Sequence, residues 1–281
     1  MSDAVGRIHT IWRFPIKSFQ GESIQSTSLS ESGIFADRVL ALRNSETGKI
    51  VSGKHATLGE HVLAFEASYE AEPLHGKPLP TISAQVDGKQ IQASDPASFA
   101  AACSAALDHP VELVAAGASD EVYESYWPEL EDLPLSGASL DLPLPLAEAG
   151  SFADLEPLHI LTTASLAHLK TLAAESLLDV SRFRPSLVID TEDATGFLEN
   201  DWSGKTATLG GATIEFGGPA PRCIMTTRAQ AGLPRDPSVL KTLVKQNRRE
   251  FMGMMMPCLG IYAKVTKPGE IQIGDALTFT D

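Results

Sequence analysis

Cys223 is the residue best placed to do chemistry. It closes the run Gly217-Gly218-Pro219-Ala220-Pro221-Arg222-Cys223, directly after an alternating segment, Ala212 to Phe216, that predicts a strand. Glycines and prolines make the run a fixed, irregular loop, from which a thiol can face a cleft. The adjacent Arg222 favours the thiolate, which is a nucleophile and a soft ligand for a redox metal. The competing role is a small apolar filler, since free cysteines are among the most buried residues. Cys103 reads as that filler: it sits in an alanine-rich helix, four residues after Phe99. Cys258 starts a strand after Met254-Met255-Met256-Pro257, where packing is the simpler role.

The basic residues give a second signal, because they are scarce. The 281 residues include 22 Lys and Arg against 36 Asp and Glu, a formal net charge of −14. Lys17-Ser18 follows a proline corner, and Arg38 follows Asp37 at a strand start. Arg182-Phe183-Arg184-Pro185 precedes an apolar strand, and Arg222 adjoins Cys223. Lysine and arginine at strand ends and loops can clamp an anion, arginine with a two-pronged fork. A single such residue is more often a solvated charge. Thr162-Thr163-Ala164-Ser165 offers hydroxyls and free amides at a helix start, suited to a phosphate or to plain capping.

The same numbers exclude other chemistry. An acidic surface repels nucleic-acid phosphates and anionic headgroups, so neither a nucleic-acid nor a membrane partner is expected. Three cysteines cannot supply four thiolates to an iron–sulfur cluster, and no paired Cys or His spacing suggests zinc. No Gly-x-Gly-x-x-Gly, Walker loop or Gly-x-Ser-x-Gly is present. The start, Met1 to Arg7, lacks the apolar run of a signal peptide. No stretch reaches the ~18 apolar residues of a membrane span. The expected compartment is the cytoplasm.

Short strands must position these residues. Ile8 to Ile16 is β-branched and aromatic; Ile82 to Val86, Asp87-Gly88 and Gln90 to Gln92 read as a hairpin. Leu158 to Leu161, Leu187 to Ile189, Leu259 to Val265, Ile271 to Ile273 and Leu277 to Phe279 supply further strands. Three helices open at Asp95-Pro96, Thr162-Thr163 and Asp236-Pro237, each with a capping side chain. Trp127 to Gly150 is rich in Pro, Leu and acids without a period, and reads as a connection. The fold class is α+β, predominantly β, with barrel-like domains carrying helical insertions.

These pieces resemble the MOSC family. The resemblance rests on Phe14-Pro15-Ile16-Lys17-Ser18, Gly33 to Arg38, Leu161 to Leu166, Arg182 to Ser186, Phe197 to Trp202, Pro221 to Thr227 and Gly269 to Asp275, in that order. It implies a smaller N-terminal β-barrel domain over 1–125, a connection over 126–150 and a MOSC domain over 151–281. It also implies a molybdenum cofactor, molybdenum-molybdopterin, with Cys223 as metal ligand and catalytic residue. Lys17, Ser18, Arg38, Thr163, Ser165, Arg184 and Ser186 match or adjoin positions that hold the pterin and its phosphate; Arg182 and Arg222 are added as neighbours. The implied activity is reduction of N-hydroxylated or other N-oxygenated small molecules, with electrons from a separate flavin or iron–sulfur reductase. A carrier of cofactor or of sulfur on a Cys223 persulfide, and a non-catalytic module, are the alternative roles. This chain departs from the family in three places. Ser186 stands where Asn is common, and Asn200 where an acid is common. The Asp usual after the threonines is missing, and Arg228 stands in that loop instead.

Overall fold

A computed structural model describes residues 4–230 and 232–280. Met1 to Asp3, read above for a targeting signal, and Ala231 and Asp281 lie outside the described residues.

Seven strands close one barrel: β1 (Gly6–Arg13), β2 (Leu158–Thr162), β3 (Leu187–Asp190), β4 (Thr206–Leu209), β5 (Ala212–Pro221), β6 (Met254–Lys267) and β7 (Ala276–Thr280). Their hydrogen-bonded order is β2-β3-β1-β7-β4-β5-β6, and β6 pairs with β2 to shut the ring. Closure removes the open edges that an isolated sheet would present. Neighbours are antiparallel except β2 and β3, which run parallel. A parallel pair needs a crossover, and it passes through a helix, Thr163–Leu172. Alternation places Ile8, Ile11, Ile160, Ile189, Ile214 and Ile261 in one interior.

β1 departs from the division at residue 125. It pairs with β3 through Ile11 and Leu187, and with β7 through Gly6 and Leu277, so it is a stave of the larger barrel. Ser26–Ser30, Gly33–Ile34 and Gly269–Gln272 form a small sheet whose Leu29, Ile34 and Ile271 enter the same interior. The reason is geometric: strand partners are chosen by complementary edges, at any distance along the chain.

The smaller β module has its own core, built on Phe19, Leu42, Phe65, Phe99 and Cys103. Leu40–Asn44 pairs with Val111–Ala115, and Glu66–Tyr69 with Ile82–Val86 and Lys89–Gln92. The hairpin turns at Asp87 and Gly88, both with positive φ, as the Asp-Gly pair dictates. The helix Pro96–Leu107 packs Phe99 and Cys103 inward and is capped by Asp95, which accepts from the Ser98 amide at 3.1 Å. The fully buried Cys103 is core, and burial pushes its thiol up to about 12.

The stretch read as a connection is partly built. Ser139–Pro143 pairs with Val122–Tyr126, and Trp127, Leu133, Leu144 and Ala147 are buried. Pro134, Pro143 and Pro145 interrupt the alternation by which such a strand would show in sequence. The third long helix, Pro237–Gln246, buries Val239, Leu240, Leu243 and Val244 and is capped by Asp236.

Candidate functional site

A cleft opens between the barrel and the smaller module. Its walls carry Lys17, Arg38, Lys54, Arg184 and Arg222 against the carboxylates of Asp154 and Glu156. In an acidic chain, this is a concentration of positive charge around one space.

Cys223 stands at one wall. β5 pairs with β6 with register shifts at Pro219 and Pro221, so its end bends out of the ladder. Arg222 donates its amide to the Pro257 carbonyl at 2.7 Å, and Cys223 then leads a single turn of 3-10 helix, Ile224–Thr227. The Cys223 carbonyl accepts from the Thr226 hydroxyl at 3.0 Å. Cys223 is 7% exposed and unbridged, and of the three cysteines it alone lines the cleft. Cys258 is fully buried beside Trp127 and Met256, and burial raises its thiol to about 12.

Ser18, Arg38 and Arg184 all hold left-handed backbone, with φ of 68°, 53° and 52°. Such conformations cost on the order of 1 kcal/mol or more for a residue with a Cβ, and they gather where side-chain aim matters. Here they aim Arg184 and Arg38 over the Phe14 ring, at 4.2 and 4.8 Å. Arg38 is paired with Asp37, whose other oxygen accepts from the Phe14 amide. Arg184 has no such partner: both terminal nitrogens are buried without a hydrogen bond. Burial, then repulsion from Arg38, lowers Arg184 to about 9, so it stays charged at neutral pH. Ser18 accepts from the Gly53 amide at 2.8 Å, tying the two loops that flank the cleft.

The opposite wall is better neutralised. Asp154 accepts from Lys17 at 2.5 Å and pairs with Lys54 at 2.8 Å; Lys54 also reaches the Tyr123 hydroxyl at 3.0 Å. Burial works against the Asp154 carboxylate, but the two lysines hold it well below its ordinary range. Burial draws Lys17 down to about 8, whereas Asp154 keeps Lys54 raised against its own burial. Arg222 donates to the Phe183 carbonyl at 2.8 Å, while its Nε is buried without a partner. Burial and Arg222 push His159 down to about 3, so the imidazole is neutral. Ser186 accepts from the His159 amide and also lines the cleft.

Thus Lys17, Ser18, Arg38, Arg184, Ser186, Arg222 and Cys223 come together, and three other residues from the sequence reading do not. The buried Arg182 guanidinium donates to the carbonyls of Leu177, Thr226, Arg228 and Pro234 and fastens the loop beyond Cys223. Thr163 bonds Asp190, and Ser165 bonds the buried Glu199. Their hydroxyls are spent within the fold, so the helix start is a cap. Sequence reasoning missed Lys54 and Asp154. The small-residue turn Ser52-Gly53 before Lys54 was the available signal; Asp154 offered none, because its partners lie 100 or more residues away.

The MOSC domain profile matches residues 148–278, and the MOSC N-terminal beta barrel domain profile matches residues 5–68. This chain belongs to the MOSC family. The MOSC protein is 32% identical over 131 residues to mitochondrial amidoxime reducing component 2 of Macaca fascicularis, covering 44% of this chain and 37% of that one. It is 26% identical to the Bos taurus protein of the same name, covering 96% and 82%. To mitochondrial amidoxime-reducing component 1 of Homo sapiens it is 25% identical, again covering 96% and 82%. No helix among the described residues of this MOSC protein is long and apolar enough to cross a membrane. Nor do they hold a group of three His, Cys, Asp or Glu placed to bind a metal.

Proposed function

We propose that this MOSC protein binds a molybdenum cofactor in the cleft and reduces N-hydroxylated or other N-oxygenated small molecules. The observation that carries the reading is Arg184, whose two buried terminal nitrogens lack partners beside Arg38 and Arg222. Leaving charged donors unpaired in a buried site is costly, and an anionic ligand would satisfy them. The donor set fits this cofactor. It offers one cysteine sulfur, Cys223, a soft ligand that suits a metal arriving with its own dithiolene sulfurs. The bound cofactor supplies two-electron oxygen-removal chemistry.

The chain's residues have defined tasks. Cys223 would be the protein's ligand to the metal, and Arg184, Arg38 and Lys17 would hold the pterin and its phosphate. Ser18 and Ser186 add short polar contacts along the same wall. Burial keeps His159 neutral, so the imbalance of positive charge in the cleft comes from its lysines and arginines. In the net reaction the N–O bond breaks, an N–H bond forms, and oxygen leaves as water. Two electrons come from a separate flavin or iron–sulfur reductase, and two protons from solvent. The relatives' names, amidoxime reducing components, support this substrate class.

Protein produced with ample molybdate is expected to contain molybdenum and to yield a fluorescent pterin after oxidation. With dithionite as artificial reductant it should convert an amidoxime to the amidine. Arg184→Ala should lower bound pterin by about tenfold or more, the scale of a lost charged contact. Cys223→Ala should abolish turnover. Molybdenum-free wild-type protein, or full turnover in Cys223→Ala, would overturn the reading.

A further inference from the structure

We infer that Arg228 and Gly59 form a clasp that holds the cofactor cleft shut and fixes the loop bearing Cys223. The inference rests on the cleft being the cofactor site. Arg228 is a positioning residue here: it does not line the cleft.

The cleft has two walls on two bodies. Ser52 and Lys54 belong to the smaller module, whereas His159, Arg222, Cys223 and Tyr262 belong to the barrel. Any ligand between them is held only as firmly as the bodies hold each other. Arg228 spans that gap. Its Nη2 donates to the His55 carbonyl at 2.6 Å and to the Ala56 carbonyl at 3.2 Å. The side chain is buried, at 3% exposure.

Gly59 is the other half. A Cβ built there would collide with Nη1 of Arg228 and with the Gly53 carbonyl oxygen. Gly59 does not adopt positive φ, so it is glycine for space and not for backbone freedom. The guanidinium therefore fills a notch that only glycine leaves open. Gly53, on the rim of that notch, is also the residue whose amide bonds Ser18 in the cleft. Clasp and cleft thus share one loop.

The other end of the loop is equally tied down. Arg182 donates to the carbonyl of Arg228 at 3.1 Å and to those of Thr226 and Pro234. One buried arginine fastens the Cys223 loop to the barrel, and a second fastens it to the module.

The test compares Arg228→Ala, Gly59→Ala, the double variant and Arg228→Lys with the wild type, all loaded with cofactor. Pterin release into buffer is followed by fluorescence. Each single alanine variant should release pterin about tenfold faster, and the double variant no faster than Arg228→Ala, because the two act as one unit. Arg228→Lys should recover part of the retention, since an ammonium reaches one carbonyl but lacks the fork. Phe99→Ala, which empties the module's core without removing either clasp residue, controls for lost stability; its release rate should stay within about twofold of wild type. Alkylation of Cys223 by iodoacetamide in cofactor-free protein gives a second readout that needs no cofactor. It should be about tenfold faster in Arg228→Ala and Gly59→Ala. Wild-type release and labelling in both variants would overturn the clasp, as would additive effects in the double variant or equal effects in Phe99→Ala. Absence of molybdenum in the wild type overturns the cofactor reading instead, and labelling still decides the clasp.

Discussion

Lys17 carries the clearest pH dependence at the scale of single residues. The unfolded chain binds this proton more tightly, near the ordinary 10.5, than the folded chain, near 8. Its contribution to cofactor-free stability therefore rises with pH between those values. Anion binding has the opposite sign, because it needs the ammonium. Retention of an anionic cofactor should be full below pH 8 and weaken as pH climbs above it, and Lys17→Arg should flatten that loss. Pterin content after gel filtration at a series of pH values measures both. The same scale shows why sequence alone does not separate two arginines. Arg182 and Arg184 are two residues apart and chemically alike. Arg182 ends a 3-10 turn, Val180–Arg182, while Arg184 adopts left-handed backbone, and their guanidiniums go to different places. Residue type was legible; aim was not, since it is set by carbonyls 44 to 52 positions onward.

At the scale of elements, the helix Thr163–Leu172 is anchored by its first turn. Thr162 accepts from the Ser165 amide at 3.0 Å and donates to Glu199 at 2.7 Å, and Ser165 donates to the same carboxyl. Burial pushes Glu199 up, and these hydroxyls, with backbone amides, oppose that shift. Thr162→Val should lower the free energy of urea unfolding by about 2 kcal/mol, the sum of a lost cap and a lost buried hydrogen bond. Ser165→Ala should leave pterin content unchanged, because this turn lies outside the cleft. A fall in pterin comparable to that of Arg184→Ala would return the helix start to the site. Helix starts were readable because capping is local chemistry: Asp95-Pro96 and Asp236-Pro237 each mark one. The strand Ser139–Pro143 was not, because prolines broke its period and its partner supplies the order.

At the scale of the molecule, the net charge of −14 coexists with a cleft lined by five cationic side chains. A chain acidic in total thus gathers positive charge in one cleft, a contrast that totals conceal. The barrel is also not confined to the second half of the chain. Without β1 it lacks the stave between β3 and β7. A 151–281 fragment should therefore show no cooperative thermal transition, and a peptide covering 4–34 should restore one when added. Cooperative unfolding of the fragment alone, followed by circular dichroism, would refute this. The same closure sets a timetable for synthesis. β1 leaves the ribosome first, but β7 lies about 260 residues later, which at ~5–20 residues per second is a wait of roughly 13 to 50 s. During that interval the edge of β1 that will meet β7 at Gly6 and Arg7 stays unpaired, and the ring stays open there. The cleft, with walls drawn from distant parts of the ring, can be filled only after β6 has been made.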